Sequence, residues 1–536
     1  MTYTGTTVQI PMGQGGLRTD DSQLAIPPQN LIQAENISIS SLEAQKAPGS
    51  SKFNSVALPA AIMGIYDWFP TATQQRLIAV TQDGKVYRDT GDGTFTANTA
   101  FDTELGNVNN QLKIVAGGLE SASDNRKLFI FSGSRQLQFL DGDATDLTTI
   151  SGPAADWASN FPTAGVLHRS RLFAFGNTND PHRVYMSDST DHQDFSGGAS
   201  ATFSVFPGEG NGLIAGFVYK GRLFIVKEPT GVYYLIDQDT SAANWYFAKL
   251  SATFGVSSAH GTLQALDDMF VGNVTGSITS LKAVDAFGDV ESGDLLNLLR
   301  IEQFIRNNTS TSGIPQQHSI YFEEQKQALF TYRSTAGSSN DRLLVIDYNL
   351  AQNPRAVFMT KDNPNCMALR KGANGIFVPM YGTTDGYVFV TDIEDRNVGG
   401  TAYTAKFQTP HMDFNFVDPS MAQKDKHFDF LEVVFKPEGK WDLAVEYFID
   451  GDSVETKNVE MSLGKVLGGP DIPASRTFVL GDKMRGTELV SRRVRLRGSG
   501  KRISFQFTQG GLDQNINISS ILVSFRLGDE RQVVVN

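Results

Sequence analysis

A hairpin of two short strands recurs along this sequence, and it constrains the possible folds more than any other feature. In its clearest copy, an apolar run at residues 171–175 is followed by a polar turn at 176–181 and a second run at 183–187. The turn combines residues that tolerate a positive φ with a proline that fixes φ. The second run alternates polar and apolar side chains, as a half-buried strand does. Each copy therefore predicts two antiparallel strands with one face in a core.

Further copies of the hairpin return at intervals of about 40–50 residues, the spacing that β-propeller blades leave in a sequence. They begin near residues 76, 127, 222, 342 and 375. The many glycines (51) between short apolar runs fit a chain with many turns. We therefore expect a mainly β fold in which residues 56–395 form a β-propeller. The length of this region accommodates about six to eight blades at this spacing, and we expect seven.

The two flanking regions have a different character. Residues 1–55 form a polar arm, in which glycines at 13–16 predict a backbone that passes close to another surface. Pro27 and Pro28 make a short, stiff spacer. Residues 396–536 contain longer alternating runs, which are typical of a β-sandwich. We expect this C-terminal sandwich, together with the arm, to form a platform domain next to the propeller.

One segment interrupts the β pattern. Apolar residues at helical spacing in residues 292–306 predict a single amphipathic helix, capped by Ser292 or Asp294. The polar face of this helix is not basic, so packing against the blades is favoured over binding to a membrane.

The composition excludes several classes of protein. A net charge of −12 disfavours general DNA binding, because affinity for nucleic acid comes mainly from neutralising phosphates. The only cysteine, Cys366, rules out an intrachain disulfide and is predicted to be a small buried hydrophobe. The first residues lack a signal-peptide pattern, and no run of about 18 apolar residues occurs, so we expect no membrane insertion.

The densest cluster of chemically versatile side chains lies at residues 182–194, which include two histidines and several aspartates. One interpretation is a metal site or a general acid. The other, which we favour, is a polar loop, because all these residues follow one strand. No histidines have a metal-ligand spacing, and no pair of carboxylates is singled out for glycoside hydrolysis. We therefore predict no catalytic residue, no metal ligand and no cofactor.

A basic strand stands out near the C-terminus. Arg493, Arg495 and Arg497 alternate with Val494 and Leu496, so the arginines share one strand face. This face is either solvated, or it contacts an acidic neighbouring subunit or DNA phosphate. The acidic balance of the rest of the chain favours a protein neighbour over DNA.

Four stretches, taken in order, resemble bacteriophage tail proteins of the nozzle, or packaged-DNA stabilisation, type. The first is residues 15–37, with a Gly-Gly-hydrophobic sequence, the Pro-Pro pair and a following Asn-Ile strand. The others are residues 168–195, 212–233 and 440–505. Each stretch consists mostly of strand and turn residues, and their order is the specific feature.

The resemblance implies a non-enzymatic structural protein of the short-tailed bacteriophage virion. The resemblance implies a platform domain joined to a propeller. It also implies that six copies of the chain are arranged around the tail axis, below the portal and adaptor rings. Such a hexamer is a DNA channel that retains packaged DNA and lets it exit at infection. The implied partners are other copies of the chain, the portal and adaptor proteins of the head–tail connector, tail fibre or spike proteins, and DNA passing through the lumen without sequence-specific binding. The implied location is the virion tail, after synthesis in the host cytoplasm.

The arm and the basic strand supply the residues that we expect at interfaces. They are Gly15, Gly16, Leu17, Arg18, Pro27, Pro28, Arg493, Arg495 and Arg497. The alternative function is a tail-associated adhesin or receptor-binding propeller, and a glycan depolymerase is less favoured.

Overall fold

The chain is mainly β, as the sequence predicts. The computed structural model describes residues 5–12, 14–22, 25–39, 43–91, 93–96, 105, 108–118, 126–144, 146–157, 159–273, 275–282, 294–349, 354–462 and 489–528. Within these ranges the strands form mostly antiparallel sheets joined by short turns.

The first 52 residues contribute five short strands. They are β1 (Thr6–Pro11), β2 (Gln33–Glu35), β3 (Ile37–Ser38), β4 (Ala44–Lys46) and β5 (Gly49–Lys52). These strands do not pair mainly with one another, and each joins a sheet built elsewhere in the chain.

Four sheets of four strands follow, each a simple antiparallel meander. The first contains β6 (Ile62–Trp68), β7 (Arg76–Thr81), β8 (Val86–Asp89) and β9 (Phe95–Thr96); the second β10 (Lys113–Gly117), β11 (Lys127–Phe131), β12 (Gln138–Asp141) and β13 (Leu147–Thr149). The third contains β14 (Ala164–His168), β15 (Arg171–Phe175), β16 (Arg183–Met186) and β17 (Ala201–Ser204); the fourth β18 (Gly212–Tyr219), β19 (Arg222–Glu228), β20 (Val232–Ile236) and β21 (Tyr246–Ser251).

Three more sheets continue the series. They contain β22 (Thr262–Ala265), β23 (Asp268–Gly272) and β24 (Ile278–Ser280); then β25 (Ser319–Phe322), β26 (Gln327–Tyr332), β27 (Arg342–Asp347) and β28 (Arg355–Met359); then β29 (Cys366–Lys371), β30 (Phe377–Gly382) and β31 (Val388–Ile393). Strand β5 pairs with β31 and completes the last sheet to four strands. The sheet of β22–β24 has three.

The six sheets with four such strands form a β-propeller, which confirms the predicted mainly β fold with a propeller. Residues from neighbouring sheets share hydrophobic clusters: Phe173 of β15 lies in one cluster with Leu223 and Ile225 of β19. The first strands of successive sheets lie side by side, and β29 of the last sheet lies against β6 of the first. Cys366 is fully buried there, as predicted, and burial raises the pKa of its thiol to about 12.

The prediction of a single helix at residues 292–306 is wrong. Two short helices, α1 (Leu295–Leu298) and α2 (Glu302–Asn308), occupy the segment instead, and between them Arg300 has φ +58°, outside the helical region. Asp294 caps α1 as predicted, because its carboxylate accepts hydrogen bonds from the N–H groups of Leu296 and Asn297. Ser292, the alternative cap, lies outside the described residues. Short 3-10 helices lie at Ala155–Trp157, Ala242–Asn244, Thr311–Gln316 and Pro419–Gln423.

The remaining strands come from the C-terminal region. They are β32 (Asn397–Val398), β33 (Thr401–Ala402), β34 (Ala405–Gln408), β35 (Lys426–Phe435), β36 (Asp442–Ile449), β37 (Asp452–Glu460), β38 (Val490–Arg495), β39 (Ser499–Gly500), β40 (Ile503–Gln509) and β41 (Asn517–Leu527). One sheet has the order β3-β4-β41-β35-β38, with β1 on β41 and β39 on β35. The short strands β32 and β33 extend the last propeller sheet beyond β5.

A nine-stranded sheet connects the propeller to the C-terminal strands. Its order is β25-β26-β27-β28-β2-β34-β40-β36-β37, so the short strand β2 is the link between the two halves. Glu35 of β2 pairs in parallel with Phe358 on one side and antiparallel with Lys406 on the other. The buried side chains of both C-terminal sheets and of this propeller sheet belong to one hydrophobic cluster.

A buried ion pair also fastens the N-terminal segment to this sheet. Arg355 of β28 is 1% exposed, and its guanidinium donates to Asp347 Oδ1 of β27 and to the carbonyl oxygen of Ile39, both at 2.8 Å. Removing one partner of such a pair leaves a buried charge without compensation.

We expect Arg355→Met to lower the free energy of unfolding by about 3–5 kcal/mol, because the buried carboxylate of Asp347 loses this partner. Urea-induced unfolding followed by tryptophan fluorescence measures the change. Arg135→Met is the control, since Arg135 is exposed on a turn and its replacement is expected to change stability by less than about 0.5 kcal/mol. Equal effects of the two substitutions would contradict the role assigned to Arg355.

Candidate functional sites

The arm residues Gly15, Gly16 and Leu17, predicted at an interface, pack within the chain itself: Gly16 and Leu17 lie against strand β28, and Gly15 lies against Asn30. Leu17 is 3% exposed, and its N–H donates to the carbonyl oxygen of Ala356 at 2.8 Å. Gly16 has φ +68°, and a Cβ at this position would lie 3.0 Å from the nitrogen of Ala356. Glycine is therefore required both by the backbone conformation and by the close approach. The surface that the glycines were predicted to approach belongs to the same molecule.

The other arm residues remain partly exposed. Arg18 forms an ion pair with Asp21, while Pro27 and Pro28 are half-buried. The sequence analysis missed the role of Asp20, whose carboxylate accepts hydrogen bonds from the N–H groups of Gln303 (2.8 Å) and Phe304 (3.3 Å). Asp20 therefore caps α2 from a distant part of the chain, where an acidic group is also favoured by the helix dipole.

The basic strand lies at the edge of a C-terminal sheet. Arg493 and Arg495 of β38 are exposed, whereas Val494 is half-buried, which confirms the predicted alternation. Arg493 forms an ion pair with Glu432 at 2.9 Å and lies over the ring of Phe430. Hydrogen bonds from Ser491 and Arg493 lower the pKa of Glu432. Arg497, beyond the end of the strand, is also exposed.

The polar cluster at residues 182–194 holds turns together. The Asp188 carboxylate accepts from the hydroxyl and the N–H of Thr190 and from the N–H of Ala199, and these bonds lower its pKa to about 2. His192 accepts from the N–H of Gly118 and lies 3.0 Å from the carbonyl oxygen of Ser170. No group of three or more histidine, cysteine or acidic side chains among the described residues is placed to hold a metal ion.

The structure brings together residues that the sequence analysis did not connect, in a cavity of about 610 Å³. Residues at or next to the first strands of five sheets, β6, β10, β22, β25 and β29, line this cavity. The cavity therefore lies where these sheets converge, around the propeller axis. We call it the axial cavity.

Three basic side chains lie together in the wall of the axial cavity: Lys113, His260 and His318. The two imidazole rings are stacked, with centroids 4.1 Å apart and an interplanar angle of 19°. His260 Nε2 lies 2.8 Å from the carbonyl oxygen of Leu112, so this nitrogen carries the proton and donates it. His318 is 6% exposed, and its buried Nδ1 has no hydrogen-bond partner among the described residues.

Burial shapes the protonation of this group. It lowers the pKa of Lys113 to about 8, so this ammonium remains mostly charged at neutral pH. Burial and the positive charge of Lys113 lower the pKa of His318 to about 3. Burial, His318 and Lys113 hold the pKa of His260 well below its usual value. Both imidazoles are therefore neutral at pH 7, next to a single cation.

Carboxylates lie at the opposite end of the same cavity. His318 precedes β25 and Glu323 follows it, so the two are separated by roughly 16 Å of extended strand. Glu324 accepts a hydrogen bond from the N–H of Phe377 at 2.8 Å. Asp67 accepts from the Gln75 side chain and from the N–H of Lys371. The axial cavity thus has basic side chains at one end and acidic side chains at the other.

Leu112 also lines a second cavity of about 420 Å³. Its lining includes the polar residues Asn109, Asn110, Ser132 and Ser257 and one carboxylate, Glu228.

Comparison of the sequence with models of known protein families and with curated proteins finds no match. Among solved structures, the crystal structure of the computationally designed protein Ika8 matches 64% of this chain and 99% of its own, with 10% identity and a TM-score of 0.35. Similarity at this level supports no conclusion about function. Among the described residues, no helix is long and apolar enough to cross a membrane.

We expect the stacked histidines to make stability depend on pH. The pKa of His318 falls from an unfolded value near 6.5 to about 3 in the fold, so the unfolded chain binds more protons between these values. The stability present above pH 6.5 is therefore lost as the pH falls, by about 1.4 kcal/mol per pH unit for this group.

The variant His318→Phe, which keeps a ring to stack on His260, should show a shallower loss of unfolding free energy between pH 6.5 and 4.5. Urea unfolding at several pH values measures both slopes. His427→Gln is the control, because His427 is exposed and its replacement should leave the slope unchanged. A slope that is the same in the His318 variant and the original protein would refute the assignment.

Proposed function

We propose that this protein is a structural component of a bacteriophage tail, of the nozzle type, whose copies form a ring around a DNA channel. In this role the ring lies below the portal and adaptor, retains packaged DNA, and lets it exit at infection. The observation that carries the proposal is the nine-stranded sheet that joins the propeller to the C-terminal strands through β2. A wall that contains DNA under pressure must transmit force without hinging, and a continuous hydrogen-bonded sheet does so.

The finer architecture that we propose has seven blades and a sandwich platform. The three-stranded sheet of β22–β24, fifth along the chain, is the additional blade that makes the number seven. Contacts of β22 with β18 on one side and with β25 on the other support this position. The sheet of β1, β3, β4, β35, β38, β39 and β41 forms the platform with the C-terminal part of the nine-stranded sheet. The hydrophobic cluster common to both sheets supports this pairing.

Charge supports a channel wall that does not bind DNA tightly. The chain carries a net charge of −12, so a ring of copies repels the DNA backbone. DNA would then pass the lumen without sequence-specific contacts. The exposed arginines of β38 and the residue Arg497 instead suit an acidic surface on a neighbouring copy or a connector protein.

The oligomeric state tests this function directly. Mass photometry of the purified chain and negative-stain class averages should show a closed ring, expected to contain six copies. A monomer at every concentration tested, with no ring on added connector proteins, would refute the proposal. A trimer that binds host cells would instead support the receptor-binding alternative.

We expect the double variant Arg495→Glu/Arg497→Glu to weaken ring assembly by at least tenfold while the single chain stays folded, because both side chains are exposed and lie outside the core. Mass photometry gives the assembly constant and circular dichroism checks the fold. The matched control is Arg135→Glu/Lys220→Glu, which changes the net charge equally at exposed positions of the propeller. Assembly that is equally affected in both variants, or in neither, would exclude β38 from the interface.

A further inference from the structure

We propose that the axial cavity is a binding site for a small organic anion. The carboxylate or phosphate group of the ligand lies against Lys113, His260 and His318, and its apolar body fills the rest of the cavity. This site is separate from the proposed role in a tail, and it does not depend on how copies of the chain assemble.

The first argument is an uncompensated charge. Lys113 lines the axial cavity, and no described carboxylate forms an ion pair or a hydrogen bond with its ammonium. Lys113 is half-buried, and desolvating an ammonium that has no partner costs free energy, so stability alone does not explain its position on the axis. A bound anion supplies the missing charge in a site of low dielectric constant, where the attraction is strong.

The second argument is an unused hydrogen-bonding atom beside this cation. The Nδ1 atom of His318 is buried and has no partner among the described residues, although most buried polar atoms in proteins have one. The Nε2 atom of His260 is already engaged by the carbonyl oxygen of Leu112. The ring of His318 therefore places beside Lys113 a polar atom that no hydrogen bond within the described part of the chain accounts for.

The charges that face this group do not cancel the attraction. Glu323, Glu324 and Asp67 also line the axial cavity, but at its other end, where Glu323 is separated from His318 by roughly 16 Å of strand. This separation exceeds the distance of about 8 Å over which salt screens charges in contact with water. Glu324 and Asp67 are in addition engaged by N–H donors. Tyr66 and Tyr321, the other titratable residues of the wall, are neutral.

The rest of the wall defines the body of the ligand. Ile65, Ile114, Leu263, Ile320 and Leu369 give the axial cavity an apolar lining. Its volume of about 610 Å³ lies within the range of small-molecule sites, about 300–1,000 Å³. A strand of DNA is too large to enter, so the phosphate of a polymer is not the ligand. The structure points to a molecule with one anionic group and an aliphatic or aromatic body.

Isothermal titration calorimetry of the full chain tests the site with three probes: 4-phenylbutyrate, phenyl phosphate and the uncharged 4-phenylbutanol. We expect at least one anion to bind ten times more tightly than the alcohol, and the better anion identifies the carboxylate or the phosphate as the preferred group. Lys113→Met, which keeps the length of the side chain, should abolish this difference. Lys127→Met, on β11 and outside the axial cavity, should not change it.

Two further measurements separate binding from folding. Ile320→Trp should block all three probes, since the larger ring fills the axial cavity. Without ligand, Lys113→Met should melt at the same temperature as the original protein or higher, because it removes a half-buried cation that has no ion-pair partner among the described residues. Failure of both anions to bind, equal binding of the alcohol, unchanged affinity in Lys113→Met, or a lower melting temperature of that variant would each overturn the proposal.

Discussion

The side-chain amide of Asn36 joins three distant parts of the chain, and the connection between propeller and C-terminal strands depends on it. Its Nδ2 donates to Thr360 Oγ1 at 2.9 Å and to the carbonyl oxygen of Thr404 at 2.8 Å. Its Oδ1 accepts from the N–H groups of Thr360 and Lys361. These four hydrogen bonds exhaust the capacity of an asparagine side chain. Asn36 also has φ +55°, which asparagine adopts more readily than most residues.

Around Asn36, short N-terminal strands satisfy sheet edges formed by residues hundreds of positions away. Strand β2 lies between β28 and β34, and β5 covers the open edge of β31. Without these strands, the N–H and C=O groups on the edges would be buried without hydrogen-bond partners, or they would be exposed and could pair with the edge of another chain. The long separation adds little cost, because loop-closure entropy grows only with the logarithm of loop length. Strands of three or four residues therefore suffice to close the propeller and to attach it to the C-terminal sheets.

The sequence predicts those features that a short window of residues determines. Alternation of polar and apolar side chains is a local pattern. In residues 171–187 and their repeats it predicts the hairpins and the propeller class, and in residues 493–497 it predicts the exposed face of β38. The break in the predicted helix could not be predicted in this way, because its cause is tertiary. The N–H groups of Thr19 and Asp20 both donate to the carbonyl oxygen of Arg300, and the Asp20 carboxylate caps the helix that follows. The arm therefore fixes the break, although no residue in the helical segment indicates it.

The sequence does not predict the axial cavity either, because its basic residues come from three different sheets. Lys113 begins one strand, and His260 and His318 stand in polar stretches just before two others, so none of the three is distinctive when read alone. Only the convergence of the first strands on the propeller axis brings them together. Apolar side chains in their place would have a lower free energy, since they would neither desolvate an ammonium without a partner nor bury a ring nitrogen without a hydrogen bond. Polar groups that lower the stability of the fold, located where the blades meet, are typical of a binding site rather than of a packed core.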